Sequence, residues 1–182
     1  MELLLSRRSG SAKTMTAPGP DRLELQQILT AACRVPDHGK LCPWRFIILE
    51  GEARSRLGEV LVECLKRKAP LQVERASVER LRFLRAPVIV VVVSRVREMI
   101  AIAVWEQILS AGAVCQTMLL AVHALGYVAN WITEWPAYHP IVKERLGLRS
   151  DERIAGFVYM GTPSSPLEER ARPNLETLIS TF

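Results

Sequence analysis

The run "VIVVVV" at 88–93 is apolar and β-branched at every position. Such side chains are stiff at χ1 and suit a pleated strand. A strand with one wet face alternates apolar and polar residues, so an unbroken apolar run reads as a central strand covered on both faces. The chain must therefore supply packing layers for two sides of one sheet. At 182 residues it can do this as a single domain, 1–182, burying roughly 70% of its unfolded surface.

The covering helices are legible. Asp21 with Glu24 three residues later marks a helix start, and Leu25, Ile28, Leu29, Ala32 and Cys33 follow at helical spacing until Pro36 stops it. Leu57, Leu61, Cys64 and Leu65 mark a second helix, and 74–84 a third, more polar one. A long helix over 105–125 ends at Gly126, and a short one over 140–146 ends at Gly147. "RFIILE" (45–50), "YVANW" (127–131) and "IAGFVYMG" (154–161) read as further strands. The expected class is α+β, with a small mixed central sheet wrapped by helices and a Pro-bearing tail to Phe182.

The run 108–125 approaches the length of a membrane span, but Ser110, Gln116, Thr117 and His123 interrupt it, so a protein-buried helix is expected and no membrane. It is also too apolar for a helix with one wet face. Part of it should lie in a two-fold interface of more than about 2,000 Å², where Gly112 and Ala113 allow close approach.

Composition narrows function. The net charge is +5, yet the basic clusters "CLKRKAP" and "SRVRE" lack interleaved aromatics, so no nucleic acid partner is expected and a phosphorylated small molecule is. Cys33, Cys42, Cys64 and Cys115 form no CxxC pair, and His38, His123 and His139 lack ligand spacing. No metal site or disulfide framework is expected, and a reducing cytoplasm is the natural compartment. Ser6-Arg7-Arg8 superficially matches a twin-arginine export signal, but no apolar segment follows it.

No GxGxxG, GxxxxGK[ST] or GxSxG motif is present. What remains is cationic and hydroxyl-bearing: Arg7-Arg8-Ser9, and the crowded connection "RVPDHGKLCPW" (34–44). Arginine forks onto phosphate and serine adds a donor, so a phosphorylated cofactor can be held without a glycine-rich turn. On the residues alone, 7–9 also read as a solvated terminus and His38 as a turn residue. His123 also reads as a satisfied core histidine, and Trp131 as a strand-end aromatic.

"LLLSRRS" (3–9), "LQQILTAACRVPDHGKLCPWRFIIL" (25–49), "APVIVVVV" (86–93), "WEQILSAGAVCQTMLLAVHALGYVANW" (105–131) and "IAGFVYMGTP" (154–163) together resemble the nitroreductase family of flavoproteins, in its short single-domain subgroup with a "PDH" loop. The resemblance implies a nitroreductase-like fold and a homodimer with a long buried interface helix, the flavin lying in that interface. It implies FMN as cofactor, NADH or NADPH as electron donor, and a nitro compound, quinone or similar small-molecule acceptor, in a ping-pong mechanism with the chemistry on flavin N5 and no catalytic side chain.

By matched position, Arg7, Arg8 and Ser9 would meet ribityl and phosphate groups. Arg34 and His38 would contact the cofactor, with the loop reaching the partner's flavin. Trp131, Ile132 and Thr133 would lie by the isoalloxazine ring. Ala121, Val122, His123, Ala124, Leu125 and Gly126 match a stretch assigned to NAD(P). The family's Ser, Asn and Gln are replaced by Asp37, Lys40 and Cys42. Either Arg170 or Arg172 would meet the phosphate, and Lys40 or Arg34 would lie near the ring. The resemblance leaves room for a dehalogenase or flavin-fragmenting enzyme of the same fold, and for a non-catalytic flavin-binding or ligand-sequestering dimer.

Overall fold

A computed structural model describes residues 1–66, 73–98 and 101–182; Arg67 and Lys68 of the first basic cluster lie outside them. The elements run α1 (Glu2–Ser6), β1 (Met15–Thr16), α2 (Arg22–Ala32), β2 (Trp44–Leu49), α3 (Glu52–Lys66), α4 (Val73–Arg80), β3 (Val88–Ser94), α5 (Val104–Ala124), β4 (Val128–Ile132), α6 (Pro140–Arg145) and β5 (Arg153–Pro163).

β3 is the strand its composition requires. Ile89, Val91 and Val93 face one core with Leu57, Leu61, Phe83, Phe157 and Tyr159. Val88, Val90 and Val92 face another, with Ile28, Val114, Met118, Val158 and Met160. Period-two alternation thus divides one apolar strand between two cores, α3 and α6 covering one and α2 and α5 the other.

Every pairing among the described strands is antiparallel, which corrects the expected mixed sheet. β5 is the reason. Its Val158 pairs with Val90 on one side and Trp131 on the other, so β5 separates β3 from β4. Those two strands, joined through α5, run parallel to each other without touching. α4 is also shorter than expected. It ends at Arg80, and a 3-10 turn at Arg82–Leu84 places Phe83 in the core with no exposed surface.

The cap signals hold. The Asp21 carboxylate accepts from Leu23 N and Glu24 N at 2.8 and 2.9 Å, and Glu24 accepts from Asp21 N at 2.9 Å. Gly126, at φ +85, closes α5. By length and composition α5 could cross a membrane; in the fold Val114, Cys115, Met118, Leu119 and Val122 are buried against the sheet layer. Its other face leaves Trp105, Ile108 and Leu109 exposed.

Candidate functional site

Residues 7–10 leave α1 and cross the C-terminal end of α5 and the start of β4. His123, in the last turn of α5, sets its Nδ1 2.9 Å from the Leu119 carbonyl and its Nε2 2.7 Å from the Arg8 carbonyl. Asn130 on β4 donates Nδ2 to the Gly10 carbonyl at 2.6 Å. A Cβ at Gly10 would lie 2.6 Å from a Val128 methyl, so the segment presses onto β4 where only glycine fits. Two side chains from the scaffold therefore fix the backbone of this stretch.

Its side chains are less committed. Arg7 and Ser9 make no side-chain hydrogen bond among the described residues. Arg8 Nε is buried and forms an ion pair with Glu169 Oε2 at 2.9 Å. The other Glu169 oxygen accepts from Arg172 at 2.6 Å. Of the two tail arginines, Arg172 is thus the one brought to Arg8, through a shared carboxylate. Arg172, by its hydrogen bond above all, holds the Glu169 carboxyl below its ordinary range. Arg8 and Arg172 on one carboxylate, with Arg7 and Ser9 adjoining in sequence, are a cation and hydroxyl set that suits phosphate in exchange for Glu169.

Trp131 is aimed by a bulge. The β3–β5 register slips between Val92 and Val93, opposite Gly156 and Ile154, leaving Ala155 unpaired. The Trp131 indole Nε1 donates to the Ala155 carbonyl at 2.9 Å. A Cβ at Gly156 would fall 2.0 Å from that nitrogen. The indole thus lies flush on the bulge, its far edge toward Gly112 of α5, with 38% of its surface exposed. Ile132 and Thr133 are half-buried.

Beyond them the backbone turns sharply at Glu134, with φ +49 and ψ −177. Its carboxylate accepts from Arg82 Nη1 and from Arg85 Nη1, the latter at 3.5 Å. Arg82 also forks onto Glu79 through two bonds of 2.5 Å, and Trp135 Nε1 donates to Glu79 at 3.2 Å. Burial pushes the Glu79 carboxyl up, but the Arg82 fork outweighs it and the net direction is down. For Arg82, burial disfavours the charge while the two carboxylates restore it and more. Sequence reasoning missed this group. Its one local sign was the i,i+3 spacing of Glu79 and Arg82, since Glu134 lies far along the chain.

The "PDH" loop is the turn its glycine and proline suggested. Asp37 is its internal staple, accepting from Leu41 N at 3.1 Å and Cys42 N at 2.9 Å. Gly39, Lys40 and Cys42 all take positive φ. Ser110 of α5 donates to the Pro36 carbonyl at 2.6 Å, and His38 Nδ1 lies 2.7 Å from Glu106. A depression of ≈ 310 Å³ opens between His38, Glu106 and Leu109. Arg34 and Lys40 are exposed.

The loop's anchor, Ser110, and the anchor of residues 7–10, His123, stand roughly 20 Å apart along α5 at 1.5 Å per residue. Within one chain the structure therefore brings residues 7–9 to the base of β4, and does not bring Arg34 or His38 to them. In the stretch 121–126, Val122 is buried and His123 faces Arg8, while residues 124–126 are exposed.

The Nitroreductase family model matches residues 4–162. Two bacterial proteins bearing the name "Putative NAD(P)H nitroreductase" are similar over nearly the whole length. YdjA of Escherichia coli is 36% identical, covering 90% of this chain and 87% of its own. A Haemophilus influenzae protein is 34% identical, covering 94% and 92%. Among solved structures, a nitroreductase-like family protein from Bacillus cereus superposes with a TM-score of 0.84 at 24% identity, over 100% of this chain and 94% of that one. A variant of the FMN- and NADPH-dependent nitroreductase NfnB from Sphigopyxis sp. superposes at 0.74 with 20% identity, over 99% and 97%. Family match, near-complete coverage and shared fold agree: this chain belongs to the Nitroreductase family.

Proposed function

We propose that this chain is an FMN-dependent oxidoreductase that acts as a homodimer, taking hydride from NADH or NADPH and passing electrons to a nitro compound, quinone or similar small acceptor. The observation that carries the reading is the Arg7–Ser9 segment, whose backbone His123 and Asn130 hold in place and whose Arg8 is brought to Arg172 by the shared Glu169 carboxylate. Arg7, Arg8, Ser9 and Arg172 would hold the phosphate end of FMN, and Trp131, Ile132 and Thr133 the ring end. FMN, when bound, supplies the hydride chemistry, and no side-chain acid or nucleophile is needed.

The separation along α5 supports the dimer. The Ser110 anchor of the loop that carries Arg34 and His38 stands about 20 Å along α5 from the His123 anchor of residues 7–10, so these two residues would complete such a site in a partner's copy. The exposed Trp105, Ile108 and Leu109 give α5 an apolar face for that contact. Family membership and the relatives' names support NAD(P)H as donor. The test is spectroscopic. The purified protein should carry a flavin that mass spectrometry identifies as FMN. NADPH or NADH should bleach its visible absorbance, and a nitroarene or quinone should restore it. A protein that takes up no FMN on reconstitution, or whose flavin neither nucleotide bleaches, overturns the proposal.

A further inference from the structure

Glu134 occupies a backbone region that belongs almost entirely to glycine, with φ +49 and ψ −177. A side chain there is strained and persists only where its surroundings over-determine it. Here the surroundings are Arg82 and Arg85, which grip the Glu134 carboxylate. Arg82 cannot shift to follow a relaxed backbone, because it is itself forked onto the buried Glu79. The strained residue directly follows Thr133. At the other end of this short stretch, the Trp131 indole is fastened to the bulge at Ala155. Residues 131–133 are thus held from both ends, once by a strand irregularity and once by a buried ion cluster.

We infer that Arg82, acting through Glu134, is a positioning residue that holds Trp131–Thr133 in the geometry the flavin ring meets. The assignment rests on the proposed FMN site. The alternative, an ion cluster that only stabilises the fold, has a different signature. It makes the backbone at 134 irrelevant to the cofactor.

The test compares substitutions at 134, because removing Arg82 would leave Glu79 buried and unpaired and could prevent folding. Glu134→Ala and Glu134→Gly both delete the carboxylate, and so remove the same ion pairs. Only glycine takes the observed φ without strain. FMN dissociation constants are read by quenching of flavin fluorescence on each folded protein, with the visible flavin spectrum as second readout. Glu134→Gln, which keeps an acceptor oxygen for Arg82, should bind FMN within about threefold of wild type. Glu134→Ala should bind about tenfold more weakly than Glu134→Gly and show an altered flavin band, the strain then being unsupported. Alanine and glycine variants of equal FMN affinity, with wild-type FMN binding intact, overturn the positioning role alone. A wild type that binds no FMN overturns the flavin reading and this role with it.

Discussion

His123 Nε2 lies 2.7 Å from the carbonyl oxygen of Arg8, so a side chain in the last turn of α5 holds the backbone of a residue 115 positions away in sequence. Its other nitrogen faces the Leu119 carbonyl of its own helix. His123→Ala removes that strut and leaves the Arg8 carbonyl without its partner. FMN affinity should fall about tenfold, in the range of a lost hydrogen bond to a buried group, while the circular dichroism of the apo-protein stays unchanged. If residues 121–126 serve NAD(P)H instead, the same variant raises the KM for the nucleotide and leaves FMN affinity alone. Fluorescence titration and steady-state kinetics on one preparation separate the two.

Gly156 is a second place where a single carbon matters. Its Cβ would fall 2.0 Å from Trp131 Nε1 and 2.2 Å from Cδ1, so alanine must displace the indole from the bulge and break its bond to Ala155. Gly156→Ala should cost about 1–3 kcal/mol, the usual range for overpacking. It should also shift the near-ultraviolet dichroism of the tryptophans. Denaturant melts of the two proteins check the first expectation and spectra of the folded states the second.

What the sequence disclosed was what lies close along the chain or repeats with a period. β3 was legible because both its faces are apolar, α2 because Asp21 and Glu24 complete a local capping box, and the end of α5 because Gly126 follows a helical pattern. The brief α1 and β1 escaped, having no period to show. The antiparallel sheet escaped because the position of β5 between β3 and β4 is a long-range fact. Arg82, Glu79 and Glu134 escaped for the same reason, and so did Glu169 as the link from Arg8 to Arg172. The residues named from family resemblance at 7–9 and 131–133 are brought to the base and tip of one strand. Arg34 and His38 are not brought to either end of it, and a role for them at the cofactor belongs to the proposed dimer.

That last separation makes assembly testable. Trp105 is 66% exposed, and Ile108 and Leu109 lie beside it on α5. Leu109→Glu sets a carboxylate into that apolar face, and should convert a dimer to a monomer in sedimentation velocity at micromolar concentration. If the FMN site needs both copies, FMN affinity should fall with it, since a ligand that binds only the dimer is linked to dimerisation. A stable wild-type monomer that carries flavin, or a Leu109→Glu monomer with unchanged FMN affinity, would count against the shared site.

Part of the acid sensitivity should come from Glu152. This carboxylate is fully buried between β2 and β5, accepting from Arg45 Nε and Nη2 at 2.8 Å each and from Arg149 N at 2.9 Å. The Arg45 bonds, against the opposing push of burial, hold its carboxyl down to about 2, from an ordinary 4.5. Because the folded value is depressed, the contribution is complete above the unfolded value. It is lost as pH falls from about 4.5 toward 2, where the folded state must also take up the proton. A displacement of that size corresponds to about 3 kcal/mol. Glu152→Gln should therefore be less stable than wild type at pH 7, with the two urea midpoints converging as pH drops through that window at fixed protein concentration. Midpoints that stay parallel down to pH 2 would show that the Arg45–Glu152 pair does not carry the acid sensitivity.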